Sequence, residues 1–479
     1  MPSDVLELTL AELSAAIRRR QVSSLDATRA CLDAIAAGDS RINSFICVER
    51  DAALEQARMA DRDIEAGRWL GSLHGVPLAH KDMFYRRGKV STGGSRILGD
   101  RPATTTATVQ ERLAQAGAVY LGNLNMSEFA AGPTGHNEHH GHCRNPWDAR
   151  HASGGSSSGS GAAIAARFAF GSLGSDTGGS IRLPAAMCGV VGLKPTYGLV
   201  SRYGVMPRCW SLDVVGPLAR TAEDCALLLR AVAGRDDRDP TTATRSVPDY
   251  TKALAGSIEG WKIGVPRNPI FAEVDGGVQR ALDASLRELE ALGAVVVPIE
   301  LPEPRVLYAL TNLVNKAEAA ALHARWVRER RDDYSLSSVN RFEAGFHLPA
   351  TYYLDALRVR GRLLADFVQR VFSRVDVVHL PVLGVPVPTI DDTEVRETAG
   401  VPELIERITR HTRWVNYVGI PGLSVPCGFD PDGLPVAFQL LGRPFGEARL
   451  LRMAHVYQQA TDWHRRSPLN ETAVGAPPC

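Results

Sequence analysis

The chain lacks a cysteine-pairing motif, a long apolar run and an excess of charge of either sign. Its eight cysteines are scattered and form no C-x-x-C pair, so a disulfide framework is not expected. No apolar stretch approaches the roughly 18 residues of a membrane span, and the N-terminus carries no signal-peptide pattern. The 54 basic residues balance 53 acidic ones, which gives no support for binding to nucleic acid. We therefore expect a soluble, cytoplasmic protein without nucleic-acid or membrane partners.

Segments with the character of strands and helices alternate along the chain. Val76–Ala79 and Lys262–Val265 are short and apolar, which is typical of buried strands. Thr106–Ala116 and Val278–Leu292 have helical patterns, and each is followed by a glycine. Alternating strands and helices imply crossover connections between parallel strands. The sequence therefore predicts an α/β fold with a mixed, largely parallel central sheet sandwiched between helices.

We expect the 479 residues to form one domain with five consecutive parts. These are N-terminal helices at 1–70, a catalytic core at 71–300, a helical accessory region at 301–375, a segment completing the core at 376–466, and a tail at 467–479. Thr9–Glu12 is a capping box, which predicts a helix start near the N-terminus. The charged, helical pattern of 306–375 favours an accessory lobe over the site.

The strongest functional signal is a pair of glycine- and serine-rich loops on either side of an apolar helical segment. The first loop contains Ser156, and Ser180 ends the second loop 24 residues later. A serine hydroxyl is a weak nucleophile and needs a base, which a lysine can supply once its pKa is lowered. The arrangement therefore indicates that Lys81 activates Ser180 through Ser156, which points to acyl transfer at amide bonds. Considered alone, Lys81 could also be a solvated lysine or an ion-pair partner of Asp82.

The glycines before Ser180 suggest a site for a developing negative charge. Successive glycines allow several backbone N–H groups to converge on one point. The amides of Thr177, Gly178, Gly179 and Ser180 are predicted to hold the oxyanion of the reaction. The simpler alternative is a glycine-rich turn in which Ser180 caps the following helix.

A second serine pattern competes with this interpretation. Gly155–Gly159 satisfies G-x-S-x-G, the nucleophile elbow of α/β-hydrolases, and would make Ser157 the nucleophile. That mechanism also needs a downstream acid and histidine. Six histidines follow in the chain, but none lies in a distinctive context. The elbow interpretation is therefore less favoured than the lysine mechanism.

The block Gly154–Gly204 resembles the amidase signature family over a long and specific match. The resemblance extends to 75–82 (GVPLAHKD), 211–220 (SLDVVGPLAR) and 421–428 (PGLSVPCG). It implies a Ser–cis-Ser–Lys triad of Ser180, Ser156 and Lys81, and a mixed central sheet between helices. It also implies that Met126–Thr134 lines the acyl pocket, with Met126, Phe129 and Gly132 among its residues. No metal and no organic cofactor are expected.

The expected reaction is hydrolysis of the C–N bond of a small aryl or alkyl carboxamide by a free-standing enzyme. Aromatic side chains that could form an apolar pocket support this expectation: Trp210, Phe129, Trp414 and Tyr352. The expected partners are a small-molecule amide and a possible second copy of the chain. Three alternatives remain: the glutaminase A subunit of a tRNA-dependent amidotransferase, a carbamate or ester hydrolase with the same triad, and a non-catalytic binding module. The basic, aromatic stretch 409–416 stands where such A subunits carry an acidic residue.

The loop His136–Cys143 is unusually dense in residues that can ligate metals. Histidine and cysteine are the common ligands of zinc. The spacings in this loop match no standard zinc site, so we expect a polar loop that forms part of the pocket wall.

Overall fold

The computed structural model describes residues 2–394 and 400–468, and fifteen α-helices and eleven β-strands lie in this part of the chain. The helices are α1 (Pro2–Glu7), α2 (Leu10–Arg18), α3 (Ser24–Ile42), α4 (Arg50–Glu65), α5 (Thr108–Gln115), α6 (Ser158–Ala165), α7 (Arg182–Cys188), α8 (Ala222–Val232), α9 (Gly276–Ala291), α10 (Pro304–Glu329), α11 (Leu336–Phe346), α12 (Ala350–Phe372), α13 (Val401–Thr409), α14 (Arg413–Val418) and α15 (Glu447–Ala460). The strands are β1 (Phe45–Val48), β2 (Pro77–Lys81), β3 (Val119–Leu124), β4 (Ser172–Asp176), β5 (Val191–Lys194), β6 (Val214–Ala219), β7 (Lys262–Pro266), β8 (Val295–Ile299), β9 (Val377–Pro381), β10 (Gly422–Phe429) and β11 (Pro435–Leu441). Residues 469–479 of the predicted tail lie outside the described residues.

The main sheet contains eight strands in the order β4-β6-β5-β10-β11-β9-β7-β8. Helices α7, α9 and α15 all contact its central strand β10. Strands β10 and β11 are almost entirely buried, because helices cover the sheet at its centre. The predicted mixed α/β architecture is confirmed.

Antiparallel neighbours outnumber parallel ones in this sheet, contrary to the expectation from the sequence. Five neighbouring pairs are antiparallel, whereas β7 pairs in parallel with β8 and β9. Strands β4 and β5 run in the same direction, as expected for strands joined by a helix, but β6 lies between them and is antiparallel to both. The alternation of strands and helices along the sequence does not show that β6, which follows both strands in the chain, pairs between them in the sheet. The expectation of a largely parallel sheet is therefore wrong.

A smaller three-stranded sheet brings Lys81 into the interior. Its order is β1-β3-β2, with β2 parallel and β1 antiparallel to β3. Every residue of β2 is buried, as its apolar sequence predicts. A bridge between Leu78 and Gly171 connects β2 to the segment that leads into β4. The two sheets therefore meet beside the strand that ends at Lys81.

The helices outside the sheets follow the sequence patterns closely. The capping box is present, since the Thr9 side chain accepts the Glu12 N–H and the Glu12 carboxylate accepts the Thr9 N–H. The predicted helix at 278–292 corresponds to α9, whereas strand β1 interrupts the N-terminal helices. Helix α10 contacts α11, α12 and α14. Within residues 2–394 and 400–468, none of the helices is long and apolar enough to cross a membrane.

Helix α6, which links the two serine-rich loops, is buried along its whole length. Small residues at its N-terminal end allow neighbouring backbone to come close. A Cβ atom added at Gly159 would lie 2.2 Å from the Ser44 carbonyl oxygen and 2.6 Å from the Asn125 backbone nitrogen. The Gly159 N–H also donates to the Asn125 carbonyl oxygen at 2.9 Å. This contact holds the first serine-rich loop against the segment that follows β3.

Replacing Gly159 by alanine is expected to lower the free energy of unfolding by about 1–3 kcal/mol, because the added methyl group meets backbone atoms. Gly361→Ala is the matched control, since a Cβ at Gly361 in α12 has no atom within 4 Å. The control should stabilise the helix by up to about 1 kcal/mol. Urea unfolding of both variants measures the difference, and a Gly159→Ala protein as stable as the parent would contradict the close approach.

Candidate active site

Lys81 donates hydrogen bonds to two serine hydroxyls in the protein interior. Its Nζ lies 2.7 Å from Ser156 Oγ and 2.8 Å from Ser175 Oγ. Ser156 belongs to the first serine-rich loop, and Ser175 lies in β4 just before the second loop. The Lys81 side chain is almost completely buried. The structure therefore brings the predicted lysine and bridging serine into direct contact.

Burial makes the charged form of Lys81 unfavourable. Desolvation lowers the pKa of its amine to about 7, although the carboxylates of Asp213 and Asp176 act in the opposite direction. Asp82 is not its ion-pair partner, because the Asp82 carboxylate accepts hydrogen bonds from Thr92 and Asn123. An amine with a pKa near 7 is partly neutral at neutral pH, so it has a lone pair that can accept a proton.

The first serine-rich loop is attached to the segment 127–133. The Gly155–Ser156 peptide bond is cis, as the family resemblance implies. The Ser127 N–H donates to the Ser156 carbonyl oxygen at 3.1 Å, and the Gly155 N–H donates to the Pro133 carbonyl oxygen at 2.8 Å. These backbone bonds hold the loop that carries Ser156 beside Lys81.

Ser157, the serine of the competing elbow pattern, connects the two loops through its hydrogen bonds. Its Oγ accepts the Ser175 N–H at 3.3 Å and donates to the Ser175 carbonyl oxygen at 3.2 Å. Its backbone N–H donates to the Ser180 carbonyl oxygen at 3.3 Å. Among the described residues, no histidine forms a hydrogen bond with the Ser157 side chain. Within the described residues, the elbow mechanism therefore lacks a histidine that could act as the general base for Ser157.

Asp176 holds the turn of the second loop. Its Oδ1 accepts the Gly179 N–H at 2.7 Å, and its Oδ2 accepts the Ile181 N–H at 3.2 Å. The Gly179 N–H was predicted from the sequence to bind the oxyanion, but it already donates a hydrogen bond to Asp176. Of the other nominated donors, Thr177 and Gly178 line the cavity described below together with Ser180.

Asp176 and Arg182 form a buried charge pair. Arg182 Nε donates to Asp176 Oδ2 at 3.0 Å, and both side chains are fully buried. Burial alone would raise the pKa of Asp176, but the neighbouring guanidinium outweighs it and holds this pKa at about 2. The remaining Arg182 donors bind Gln439, Thr412 and Asn416 at 2.9–3.0 Å. The pair therefore ties the second loop to β11 and to the start of α14.

Ser180 is half-buried and lines a cavity of about 220 Å³. Thr177 and Gly178 of the second loop line the same cavity, and the segment 130–133 forms part of its wall. Four of its lining residues carry positive charge: Arg208, Lys316, Arg341 and Arg413. The cavity beside the predicted nucleophile is therefore basic.

The segment 126–134 contributes residues 130–133 to this cavity, but not its large side chains. Gly132 lines the cavity, whereas Met126 and Phe129 are not among its lining residues. Phe129 is 1% exposed and stacks with Trp326 at a centroid distance of 5.9 Å. Both large side chains therefore belong to the hydrophobic core rather than to the cavity wall.

The other aromatic residues considered for an apolar pocket also lie elsewhere. Trp210 lines a separate cavity of about 240 Å³ that includes Ser175 and Asp213. Trp414 is buried against aromatic side chains of the core, and Tyr352 is 60% exposed. Phe129 and Trp414 are thus buried in apolar clusters, whereas Trp210 and Tyr352 are exposed, and none of the four lines the cavity beside Ser180.

Sequence reasoning missed Ser175 and Asp213. Ser175 is the second acceptor of the Lys81 amine, and its only signal was a place in the motif Gly174-Ser175-Asp176. Asp213 accepts the Thr177 hydroxyl at 2.6 Å and the backbone N–H of Arg208 at 2.8 Å. Its carboxylate therefore supports the second loop from the β6 side of the site.

The histidine-rich loop brings together three groups that can ligate a metal. His136, His142 and Glu394 have ligand atoms within 4.8 Å of one another. The pKa of His136 is lowered to about 4, chiefly by burial, so its imidazole is neutral at neutral pH. His139 belongs to a different cluster, since it contacts Glu128 at 2.8 Å. The three groups adjoin the basic cavity, because Arg341 lines both spaces.

Nearly the whole chain is similar to curated proteins named as the A subunit of glutamyl-tRNA(Gln) amidotransferase. The relative from Methylococcus capsulatus is 40% identical over 484 residues, covering 96% of this chain and 98% of the relative. The relative from Halorhodospira halophila is 43% identical over 486 residues, with coverage of 96% and 98%. A solved structure from work on a vestigial protein complex and the origins of an s-triazine catabolic enzyme has a TM-score of 0.88 at 35% identity, covering 95% of this chain and 98% of that chain.

These relatives overturn two expectations from the sequence. A free-standing hydrolase of small aryl or alkyl carboxamides is wrong, because relatives at about 40% identity are named as part of an amidotransferase. Partners limited to a small-molecule amide and a second copy of the chain, without nucleic acid, are wrong for the same reason. The cavity beside Ser180 also does not fit the expected aromatic pocket, because four basic residues and no aromatic residue are among the described residues that line it. Because the total charge of the chain is nearly balanced, the composition does not reveal that four basic residues line one cavity.

The family model named Amidase matches residues 26–451. This span includes Lys81, both serine-rich loops and the helices that close the basic cavity. Its relatives are amidases and amidotransferase subunits, which identifies an enzyme of the amidohydrolase type. The chain belongs to the amidase family.

Proposed function

We propose that this protein is the amidase subunit of a tRNA-dependent amidotransferase. In this role it hydrolyses the side-chain amide of glutamine and supplies the released ammonia to partner subunits that act on glutamyl-tRNA. The observation that carries the proposal is the similarity to amidotransferase A subunits, which extends over 96% of this chain. The partners and the tRNA imply a cytoplasmic location.

In this proposal, Ser180 is the nucleophile and Lys81 is the base that acts through Ser156. Neutral Lys81 takes the Ser156 proton while Ser156 takes the Ser180 proton, and Ser180 Oγ attacks the amide carbon. The 2.7 Å contact between Lys81 Nζ and Ser156 Oγ supports this proton path. The proton then returns through Ser156 to the amide nitrogen, so that the C–N bond breaks and ammonia leaves. Water attacks the resulting ester and releases glutamate and Ser180.

The backbone of the second loop is proposed to stabilise the negative charge on the substrate oxygen. Thr177 and Gly178 line the cavity with Ser180, so their N–H groups are the proposed donors. The Gly179 N–H serves instead to fix the loop through Asp176. One such donor typically contributes about 3–4 kcal/mol to stabilising the transition state.

Ser180→Ala is expected to lower kcat/KM for glutamine by at least about 10³-fold, because the attacking oxygen is lost. Lys81→Met should lower it by about 10²–10⁴-fold through loss of the base. Ammonia release from glutamine measures both effects. Ser157→Ala is the comparison and should retain far more activity than Ser180→Ala, because it keeps both the nucleophile and the base, although it loses the hydrogen bonds between Ser157 Oγ and the Ser175 backbone. Loss of activity in Ser157→Ala together with an active Ser180→Ala enzyme would instead support the elbow mechanism.

The pH dependence of the reaction should follow the protonation of Lys81. The amine accepts a proton only when neutral, so kcat/KM should fall as the pH decreases below its pKa of about 7 and level off above it. Measurements of kcat/KM between pH 5 and pH 9 at constant ionic strength would show this inflection.

Lys194 offers a matched control for that assignment. It is also fully buried, and burial lowers its pKa to about 7, but its Nζ donates to the Pro195 carbonyl oxygen. Lys194→Met should therefore keep the inflection. A rate that does not change with pH between 5 and 8 would contradict a lysine base.

The proposed role in a larger enzyme is tested by assembly with the remaining amidotransferase subunits from the same organism. The assembled enzyme should convert glutamyl-tRNA(Gln) to glutaminyl-tRNA(Gln) with glutamine as the amide donor. With Ser180→Ala, the conversion should be lost with glutamine but retained with ammonium chloride, because assembly and tRNA binding remain intact. Conversion that depends on ammonium chloride even with the parent chain would contradict the proposal.

A further inference from the structure

The Lys81 amine becomes positively charged each time Ser180 is activated. In the proposed reaction it takes a proton from Ser156, and the resulting ammonium group stays inside the protein until that proton reaches the leaving group. An ammonium ion buried without a negative charge nearby is unfavourable. The two hydrogen-bond partners of the amine, Ser156 and Ser175, are neutral hydroxyls. A carboxylate close to this pair would therefore stabilise the charged intermediate.

The ionisable residues on either side of Lys81 in the chain do not supply that negative charge. The His80 ring is neutral, because burial lowers its pKa to about 3. The Asp82 carboxylate accepts its hydrogen bonds elsewhere, from the Thr92 N–H at 2.9 Å and from the Asn123 side-chain amide at 2.7 Å. The compensating charge therefore has to come from another element of the fold.

Two carboxylates from other elements act on the Lys81 amine. Burial lowers the pKa of Lys81 to about 7, and the carboxylates of Asp213 and Asp176 limit that decrease. Asp176 ends β4, but a positive charge directly offsets its own, since Arg182 Nε lies 3.0 Å from its Oδ2. Asp213 is thus the stronger candidate for the carboxylate that balances the charged lysine.

The Asp213 carboxylate has three hydrogen-bond donors, all of which are neutral groups. Its Oδ1 accepts the Thr177 hydroxyl at 2.6 Å, and its Oδ2 accepts the backbone N–H groups of Arg208 and Cys209 at 2.8 Å each. The Arg202 guanidinium donates to the backbone carbonyl oxygen of Asp213 at 3.4 Å. Burial raises the pKa of Asp213, and these hydrogen bonds and the charge of Arg202 oppose that increase. The carboxylate is therefore held in a fixed position.

The pairing of β4 with β6 places Asp213 between the lysine and the second serine-rich loop. Asp213 directly precedes β6, whose first residue, Val214, pairs with Asp176 of β4. On one side, Asp213 and Ser175 line the same cavity of about 240 Å³. On the other side, Asp213 bonds to Thr177, which carries one of the N–H groups proposed to bind the oxyanion.

We propose that Asp213 is a positioning residue that balances the positive charge of Lys81 during attack and fixes Thr177 beside the oxyanion. The first role acts through the electric field of the carboxylate, and the second through its hydrogen bond to the Thr177 hydroxyl. The buried carboxylate of serine proteases stabilises the imidazolium of the catalytic histidine in a comparable way. This role rests on the proposed function in taking Lys81 as the base and Ser180 as the nucleophile.

Asp213→Asn removes the charge but can keep all three hydrogen bonds. The asparagine oxygen can accept the two backbone N–H groups, and its amide can donate to the Thr177 hydroxyl. Without the carboxylate, the pKa of Lys81 falls and the neutral amine persists to lower pH. We therefore expect the inflection in kcat/KM for glutamine to move to lower pH by about half a unit or more. The plateau above it should fall about 10–100-fold, because the amine is then a weaker base.

Asp224→Asn is the matched control for the loss of a buried carboxylate. Burial raises the pKa of Asp224 to about 6, and its Oδ1 accepts the Ala11 N–H at 2.9 Å. Within the described part of the chain, the carboxylates that act on Lys81 are those of Asp213 and Asp176, so this control should keep the parent inflection. A lower plateau in Asp213→Asn with an unchanged inflection would mean that Asp213 has only a structural role, and would overturn the proposal.

Thr177→Val separates the hydrogen bond from the charge. It removes the hydroxyl that Asp213 holds and leaves the carboxylate in place. We expect the plateau of kcat/KM to fall at least about threefold, because the backbone donor is less well positioned, while the inflection stays at the parent pH. Full activity in Thr177→Val would overturn the second role of Asp213.

A fluorophosphonate tests Asp213 without relying on the identity of the substrate. A bond forms between Ser180 Oγ and phosphorus, the phosphorus–fluorine bond breaks, fluoride leaves, and the hydroxyl proton passes through Ser156 to Lys81. The pH dependence of the inactivation rate constant should show the same shift in Asp213→Asn. A shift in a protein that does not hydrolyse glutamine would contradict the proposed function and support the role of Asp213. Glutamine hydrolysis with an unshifted inflection would do the reverse.

Asp213→Ser is a second neutral variant, to be used should Asp213→Asn fail to fold. Because Asp213 lines a cavity, water can enter and bind the N–H groups that the carboxylate leaves. The inflection should again move to lower pH in both assays. An inflection at the parent pH in the neutral variant would overturn the proposal.

Discussion

The site depends on keeping the amine of Lys81 away from water. A buried amine is favoured in its neutral form, and the two hydroxyls at 2.7 and 2.8 Å give it hydrogen-bond partners without adding a negative charge. This arrangement needs a strand that ends inside the protein, which the small sheet provides through β2. It also needs the first serine-rich loop, through Ser156, and strand β4, through Ser175, to reach the same point.

The two loops are held by different interactions. The first loop is anchored by close backbone contacts around Gly159 and by the peptide groups of Ser127 and Pro133. The second loop is anchored by the charge pair of Asp176 and Arg182, whose remaining donors reach distant parts of the chain. Ser157 joins one loop to the other. The relay and the nucleophile are therefore parts of one hydrogen-bonded unit.

The structural features that depend on neighbouring residues or on a specific motif could be predicted from the sequence. The apolar strand before Lys81, the helix α9 and the capping box at Thr9 follow from local patterns, and the family resemblance implied the cis bond at Ser156. The insertion of β6 between β4 and β5 could not be predicted, because it depends on pairing between distant segments. The basic cavity escaped prediction for a similar reason. Its cations come from separate parts of a chain whose total charge is nearly balanced.

The four basic residues that line the cavity beside Ser180 also affect the protein when no substrate is present. Burial lowers the pKa of Arg341 to about 10, and the charges of Arg413 and Arg208 lower it further, so these positive charges disfavour one another in the empty cavity. Any small anion that enters the cavity shifts the folding equilibrium toward the native protein by mass action. The choice of buffer anion and salt therefore becomes part of the protein's thermal stability as well as of its kinetics.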